Sequence, residues 1–248
     1  MNTIKTRADV FSIIQNIAAA DSEDRVRLMT RTVIRKAGAE HFIYSTFRVS
    51  KAGHGFGSHH YFEDCRAEWR SIYEQRKWYM IDPLIEYAKL HTEPALSSKI
   101  VPVTRGQSDM MAAAACHGFR SGIIIPTHSR FGSHDCLGTL FIGSSSEPSN
   151  MEQHFLSNRI AFRALAMELM EWWKNHFRQL AIQKFKINEF ELHMLEHLSN
   201  GKAVAEIAAI TETRPSTLYH RLAILKDKLG ADNTGDTVEK AKAHGLLG

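Results

Sequence analysis

Strand-forming patterns stop near residue 180. Before that point, segments with helical and strand periods alternate; after it, only the helical period remains. Val10, Ile13, Ile14, Ile17 and Ala18 recur at the spacing of one buried helix face, and Leu28, Met29, Val33 and Ile34 repeat it, so residues 7–37 read as helical with Gly38 ending them. His41–Val49 is aromatic and β-branched and reads as a strand. His54–His60 reads as a Gly/His/Ser loop, and Trp69–Tyr79 as a helix. Asp82-Pro83 reads as a helix start, with the carboxylate as N-cap and proline at the first helical position. Asp109–His117 is a strong helix former, ended by Gly118. Ser121–Ser129 and Cys136–Ser144 read as two strands joined by a hairpin loop, and Asn150–Leu180 as one long helix. An antiparallel sheet flanked by helices, an α/β sandwich, is therefore expected for the first part.

Beyond residue 186, four short helices are expected at Glu189–Ser199, Ala203–Ala209, Pro215–Leu229 and Thr237–Leu246. The layout of the second and third, joined by a short turn with Thr213 as N-cap and Pro215 in the first turn, is that of a helix-turn-helix. Leu218, Leu222, Leu225 and Leu229 share the inner face of the third helix. Ser216, Thr217, Tyr219, His220, Arg221, Lys226 and Lys228 are its polar and basic remainder, with Arg214 just before it, suited to base edges and phosphates in a major groove. The same pattern also suits a plain helical bundle with a solvated face. Charge does not choose between them. The whole chain carries 31 basic against 27 acidic residues, net +4, yet residues 186–248 hold 8 Lys and Arg against 9 Asp and Glu.

Composition excludes several classes. At 248 residues and 44% hydrophobic, the chain can bury one large core or two small ones. Cys65, Cys116 and Cys136 are too few and scattered for a disulfide scaffold or a zinc ribbon. There is neither a secretory-signal pattern nor an apolar run of membrane-spanning length, so a cytoplasmic chain with no membrane association is expected.

Residues 187–248 resemble the helix-turn-helix of the LuxR family of quorum-sensing transcription regulators. The resemblance rests on Glu191, Leu195, Gly201-Lys202, Glu206-Ile207-Ala208, Thr217-Leu218, Lys228-Leu229 and the ending Ala243-His244-Gly245-Leu246. Tyr219 and Arg221 stand where many members have a small polar residue and His. The resemblance extends to the N-terminal part. Trp69-x3-Tyr73-x8-Asp82-Pro83 has the spacing of the pocket motif of N-acyl-homoserine-lactone receptors, and Gly122 matches another characteristic position. It implies that Asp82 accepts from a ligand amide, that Tyr73 donates to an acyl carbonyl, and that the Trp69 indole donates to a lactone carbonyl. On residues alone, an aspartate before a proline such as Asp82 is most often only an N-cap, and a Trp and a Tyr four apart on a helix, such as Trp69 and Tyr73, are most often core.

Two positions depart from the pattern. Ser97 stands where typical receptors have Trp, with no other Trp expected nearby, since Trp172 and Trp173 lie in the long helix. Phe141 stands where many relatives have a hydroxyl. An unusual acyl chain, or a signal other than a lactone, is the implied consequence.

The expected organisation is a small-molecule-binding domain at 1–175, a linker at 176–186 and a DNA-binding domain at 187–248. The implied partners are a small autoinducer, a double-stranded DNA operator, a second copy of the chain and RNA polymerase, with no cofactor. The runner-up is a regulator of the same architecture that is independent of ligand or inhibited by it. A distant alternative is a zinc hydrolase, because His193-x-x-Glu196-His197 matches a zinc-peptidase string. Glu191 and Leu195 belong to the regulator signature instead and no third ligand is apparent, so neither metal nor catalytic residues are expected. His54, His59 and His60 read as a solvated loop.

Overall fold

The computed structural model describes residues 9–49 and 56–247. The chain divides into two compact units. One holds the residues up to Ser129 together with Cys136–Trp172; the other holds Arg130–Asp135 and the residues from Trp173 on.

The first unit is built on five antiparallel strands in the order β2-β1-β5-β4-β3. These are β1 (His41–Val49), β2 (Phe56–Asp64), β3 (Ala95–Leu96), β4 (Ser121–Phe131) and β5 (His134–Ser144). The helices are α1 (Glu23–Lys36), α2 (Ala67–Gln75), α3 (Pro83–Leu90), α4 (Arg105–Cys116) and the long α5 (Pro148–Phe185). Successive strand residues point to opposite faces, and β1 uses that alternation twice. Phe42 and Tyr44 pack with Phe62 of β2, and Phe62 meets Trp172 of α5 edge-on. The Trp172 indole N–H donates to Ala20 O at 2.9 Å. Ile43 and Ser45 face the other way, beside Phe141 and Thr139 of β5, their partners in register. Both faces are covered, which is why β1 reads as an almost continuous apolar run.

Local chemistry sets most boundaries, and it moves several expected ones. Residues 7 and 8 lie outside the described residues; residues 9–14 are helical, and a turn through 15–22 separates them from α1. The Ser22 hydroxyl caps α1 by accepting from Arg25 N–H, and Gly38 follows the helix at φ +79°. Of the expected His54–His60 loop, residues 54 and 55 are not described, and from Phe56 the chain is strand. Backbone pairing with β1, such as Thr46 opposite His60, overrides the polar composition at this sheet edge. The helix expected over Trp69–Tyr79 stops at Gln75, because Lys77 adopts a left-handed conformation (φ +52°) and Trp78–Met80 form a single 3-10 turn. α4 begins four residues before the expected Asp109, since Thr104 and Gln107 form a capping box. The hairpin turn is also tighter than expected, with β4 reaching Phe131 and β5 starting at His134.

In the second unit, α6 (Glu189–Ser199), α7 (Val204–Ile210), α8 (Pro215–Leu229) and α9 (Thr234–Ala243) follow α5. Met194, Leu195, Ile207, Leu218, Leu222, Leu225 and Leu229 form its core. Residues 176–185, expected as linker, are the last turns of α5. Thr213 does not cap α8. Arg214 occupies the cap position without a side-chain bond, and the Thr213 hydroxyl donates to Thr211 O, because Glu212 turns the chain at φ +49°. Asn233 caps the last helix by accepting from Asp236 N–H, so α9 starts at Thr234 rather than Thr237.

Candidate functional site: a cavity under the sheet and an exposed helix

The odd-numbered face of β1 and β5 is the floor of a cavity of about 460 Å³, roofed by α2, α3 and α4. That volume is in the range of small-molecule sites. Of the residues expected at a ligand site, Trp69, Tyr73, Asp82, Ser97 and Phe141 line it. Pro83 and Gly122 do not. Pro83 holds the first position of α3. Gly122 lies behind Phe141: a Cβ there would sit 2.5 Å from two ring carbons of Phe141 and 2.9 Å from Ile142 O.

Asp82 is the polar centre. Its Oδ1 accepts from Leu84 N–H at 2.8 Å, as expected of an N-cap, and its Oδ2 accepts from the Tyr73 hydroxyl at 2.7 Å. The phenol proton that the resemblance directs to an acyl carbonyl is therefore engaged on the carboxylate, which leaves the phenol oxygen free to accept. Burial pushes the Asp82 carboxyl above the usual aspartate range, although the bonds from Tyr73 and from the amides of Leu84 and Ile85 pull the other way. Burial, reinforced by the Asp82 charge, holds the Tyr73 phenol well above its ordinary value. A carboxylate desolvated in this way gains from any further donor brought to it.

Trp69 stacks on Trp78, with centroids 5.7 Å apart, and packs against Tyr73 and Phe119. The expectation of no further tryptophan near the pocket is thus corrected. The left-handed turn at Lys77 folds Trp78 back onto Trp69, a reversal that spacing along a helix does not reveal. Phe141 packs against Phe119 with the rings tilted and their centroids 5.3 Å apart.

Several lining residues were not anticipated. Ser45 and Thr139 bring hydroxyls onto the floor. They are directly opposite in the β1–β5 ladder and only 8% and 4% exposed. Their signal was the strand alternation from Ile43 to Ser45 and from Phe141 to Thr139. Toward the β2 edge the lining is charged. Arg70 reaches Glu63 at 3.1 Å and Glu74 at 3.4 Å, and the Tyr61 hydroxyl donates to Glu74. Cys65 also lines the cavity; burial, with the charges of Glu63 and Asp64, pushes its thiol up to about 12, so it is a neutral wall.

In the second unit, Arg214, Ser216, Thr217, Tyr219 and His220 are exposed along the first turns of α8. Arg221 and Lys226 are half-buried, and the Arg221 guanidinium lies 4.4 Å from the Phe190 ring centroid. The signature residues are structural. Leu195 is fully buried, and Gly201 turns the chain at φ +78° after α6. Glu191 closes a capping box with Asn188 and binds Lys228 Nζ at 2.7 Å. Of the zinc-like string, Glu196 lies 3.7 Å from Arg178. Among the described residues no helix is long and apolar enough to cross a membrane.

A family profile described as autoinducer binding domain matches residues 22–171. The transcriptional activator protein AhyR of Aeromonas hydrophila is 23% identical over 201 residues, covering 75% of this chain and 72% of that protein. The transcriptional activator protein VanR of Vibrio anguillarum is 23% identical over 180 residues, covering 72% and 73%. Among solved structures, Escherichia coli SdiA superposes with a TM-score of 0.61 at 16% identity, covering 96% of this chain and 98% of that one. A structure of SdiA in complex with octanoyl-rac-glycerol superposes with the same TM-score and identity, covering 96% and 95%. The sheet with flanking helices, followed by a helical C-terminal part, is the fold shared with SdiA.

Proposed function

We propose that this chain, which belongs to the LuxR family of quorum-sensing regulators, is a transcription regulator gated by an N-acyl-homoserine lactone or a closely related amphipathic signal. The observation that carries this is the cavity with the buried, desolvated Asp82 carboxylate in its lining. A ligand amide N–H reaching Asp82 relieves that carboxylate. Its acyl carbonyl then needs a donor other than the Tyr73 phenol proton, and the Trp69 indole or a floor hydroxyl supplies one. Ser97, in place of Trp, leaves more room at its end of the cavity. SdiA has been solved in complex with octanoyl-rac-glycerol, so a ligand built on an ester or alcohol is a second candidate for the present cavity.

The chain acts as a regulator rather than an enzyme, in keeping with its activator relatives. Leu156, Ile160 and Met167 are exposed along α5 at helical spacing, which suits pairing with a second copy. Two α8 helices about one DNA turn apart, roughly 34 Å, would then read a pseudo-palindromic operator. Signal gates the process only if it favours the DNA-competent state.

The test is titration of full-length protein with N-octanoyl-homoserine lactone, with operator binding measured in parallel, for wild type and Asp82→Asn. Asparagine keeps the cap on Leu84 N–H, so the fold is retained. It loses the charge-assisted bond to the ligand, about 1.5–3 kcal/mol, or roughly ten- to 150-fold in affinity. A fully responsive Asp82→Asn protein contradicts the site. Operator affinity unchanged by signal favours the ligand-independent regulator instead.

A further inference from the structure

We propose that the β4–β5 hairpin is a latch: its tip clasps the end of α9, and signal in the cavity that its strands border loosens that hold. The proposal rests on the reading of the cavity as a signal site and deepens it, by naming how occupancy is felt beyond the cavity.

The tip, Arg130–Asp135, is part of the second compact unit, although its strands run on into the sheet of the first. Within the second unit the fit is close. α9 ends in a Schellman turn: Gly245 N–H donates to Lys242 O and Leu246 N–H to Ala241 O, both at 2.9 Å, with Gly245 at φ +71°. The Phe131 ring lies on that glycine, so near that a Cβ there would overlap it. Gly132 turns at φ +59° beside the Lys242 carbonyl, again with no room for a Cβ. Phe131 is 4% exposed and packs on Trp173, with ring centroids 5.3 Å apart. Just past the turn, Leu246 and Leu247 are buried in the same core as Leu218, Leu222, Leu225 and Leu229 of α8. The clasp thus sits one residue from the packing of the helix that carries the candidate DNA face.

Followed the other way, the strands reach the cavity. Ile124 of β4 lies seven residues before Phe131, Phe141 of β5 lies seven after His134, and both line the cavity. Seven residues of strand span about 24 Å. The side chains that adjust when a ligand fills the cavity, Phe141 first, are therefore on the same two strands as the clasp, and a rigid element of this kind carries a shift along its length. A contact already close-packed has no slack, so a shift of either part opens it. Linkage fixes the converse: if signal loosens the clasp, weakening the clasp by mutation strengthens signal binding.

The test is amide hydrogen exchange of the full-length protein with and without N-octanoyl-homoserine lactone, beside a binding titration of the same probe. Wild type, Phe131→Ala and Phe131→Leu are compared. In wild type, saturating probe is expected to speed exchange over residues 241–247 about ten-fold or more. In Phe131→Ala, exchange there is fast already, the probe changes it about two-fold or less, and the probe binds more tightly than to wild type. Phe131→Leu keeps part of the contact and falls between. Unchanged protection over Leu218–Leu229 shows that a variant folds; where alanine loses it, the leucine variant carries the comparison. Probe that binds wild type but leaves 241–247 unchanged or better protected would overturn the latch while leaving the signal-site reading intact. So would a response in the folded variants as large as in wild type, or weaker probe binding by them. Failure of the probe to bind wild type would overturn the lactone reading, and the latch with it.

Discussion

Replacing Gly122 with alanine tests the packing that shapes the cavity, independently of any ligand. The added Cβ would lie 2.5 Å from Cε2 and Cζ of Phe141 and 2.9 Å from the backbone oxygen of Ile142. The ring has somewhere to go, since it borders the cavity, but it leaves its contact with Phe119 to get there. The backbone oxygen belongs to β5, which is paired with β1 on its other side, so it yields little. Overpacking of this kind costs about 1–3 kcal/mol. Relief of the glycine's backbone entropy returns at most about 1 kcal/mol. A net loss of about 1–2 kcal/mol is expected, or roughly 2–8 °C in Tm for a domain of this size. Phe141→Ala removes the ring contact but not the Ile142 contact. The double variant is therefore expected to be more stable than the sum of the two single losses implies, by about 0.5–1.5 kcal/mol of coupling. Urea unfolding of the four proteins, followed by tryptophan fluorescence, measures it. If Gly122→Ala is as stable as wild type, or if the two losses add without coupling, the packing argument is wrong.

The remaining predictions concern charge. The Asp82 carboxyl titrates above its ordinary value of 3.8 in the fold, so the native state holds that proton more tightly than the unfolded chain does. Its contribution to stability falls as pH rises from 3.8 through the higher native value. Asp82→Asn removes that slope, and Tm recorded against pH for both proteins checks it; identical profiles would refute it. Glu191→Gln keeps an acceptor for the capping box but gives up the ion pair with Lys228. A loss of about 1–3 kcal/mol in C-terminal-unit stability is expected on chemical denaturation, and an unchanged midpoint would contradict it. Operator affinity should fall with salt at a slope of about −5 in log–log form if three cations on each of two protomers meet phosphates, at about −0.9 per contact. A slope near zero would argue against groove binding.

What was legible in the sequence is what is decided within a few residues. The Asp82-Pro83 start, the Gly38 stop and the leucine face of α8 all depend on neighbours three or four positions away, and they stand in the structure as read. The Thr104–Gln107 capping box was of the same kind and was there to be found. Trp78 depends on one left-handed residue, Lys77, that is not glycine and gives no compositional warning. β2 was hidden because an edge strand lining a charged cavity wall lacks the apolar run that announces a strand. Ser45 and Thr139 sit in strands covered on both faces, where polar positions pass for interruptions in an apolar pattern. Only the ladder register places them opposite one another. The Glu191–Lys228 pair spans 37 positions, so the resemblance marked both residues without saying what they do.

That pair changes the argument for DNA binding. Lys228 counts toward the local basic character of α8, but its ammonium is held by Glu191 and by Lys186 O. It is a strut between two helices rather than a phosphate ligand. Arg221 is half-buried against Phe190, so reaching a phosphate requires it to pivot on that ring while keeping its apolar stem packed. Arg214 and Lys226 remain, at opposite ends of the helix. Two or three cations in a stretch, residues 186–248, that is net −1 by sequence would give one copy weak purchase on a polyanion. On the proposed reading a second copy, paired along α5, would double the phosphate contacts, and their free energies would add while the cost of association is met once. Pairing with a second copy would therefore strengthen the hold on DNA. It would also give the signal a means of control: any change in the cavity that altered how readily two copies pair would be multiplied at the operator, without any contact between ligand and DNA.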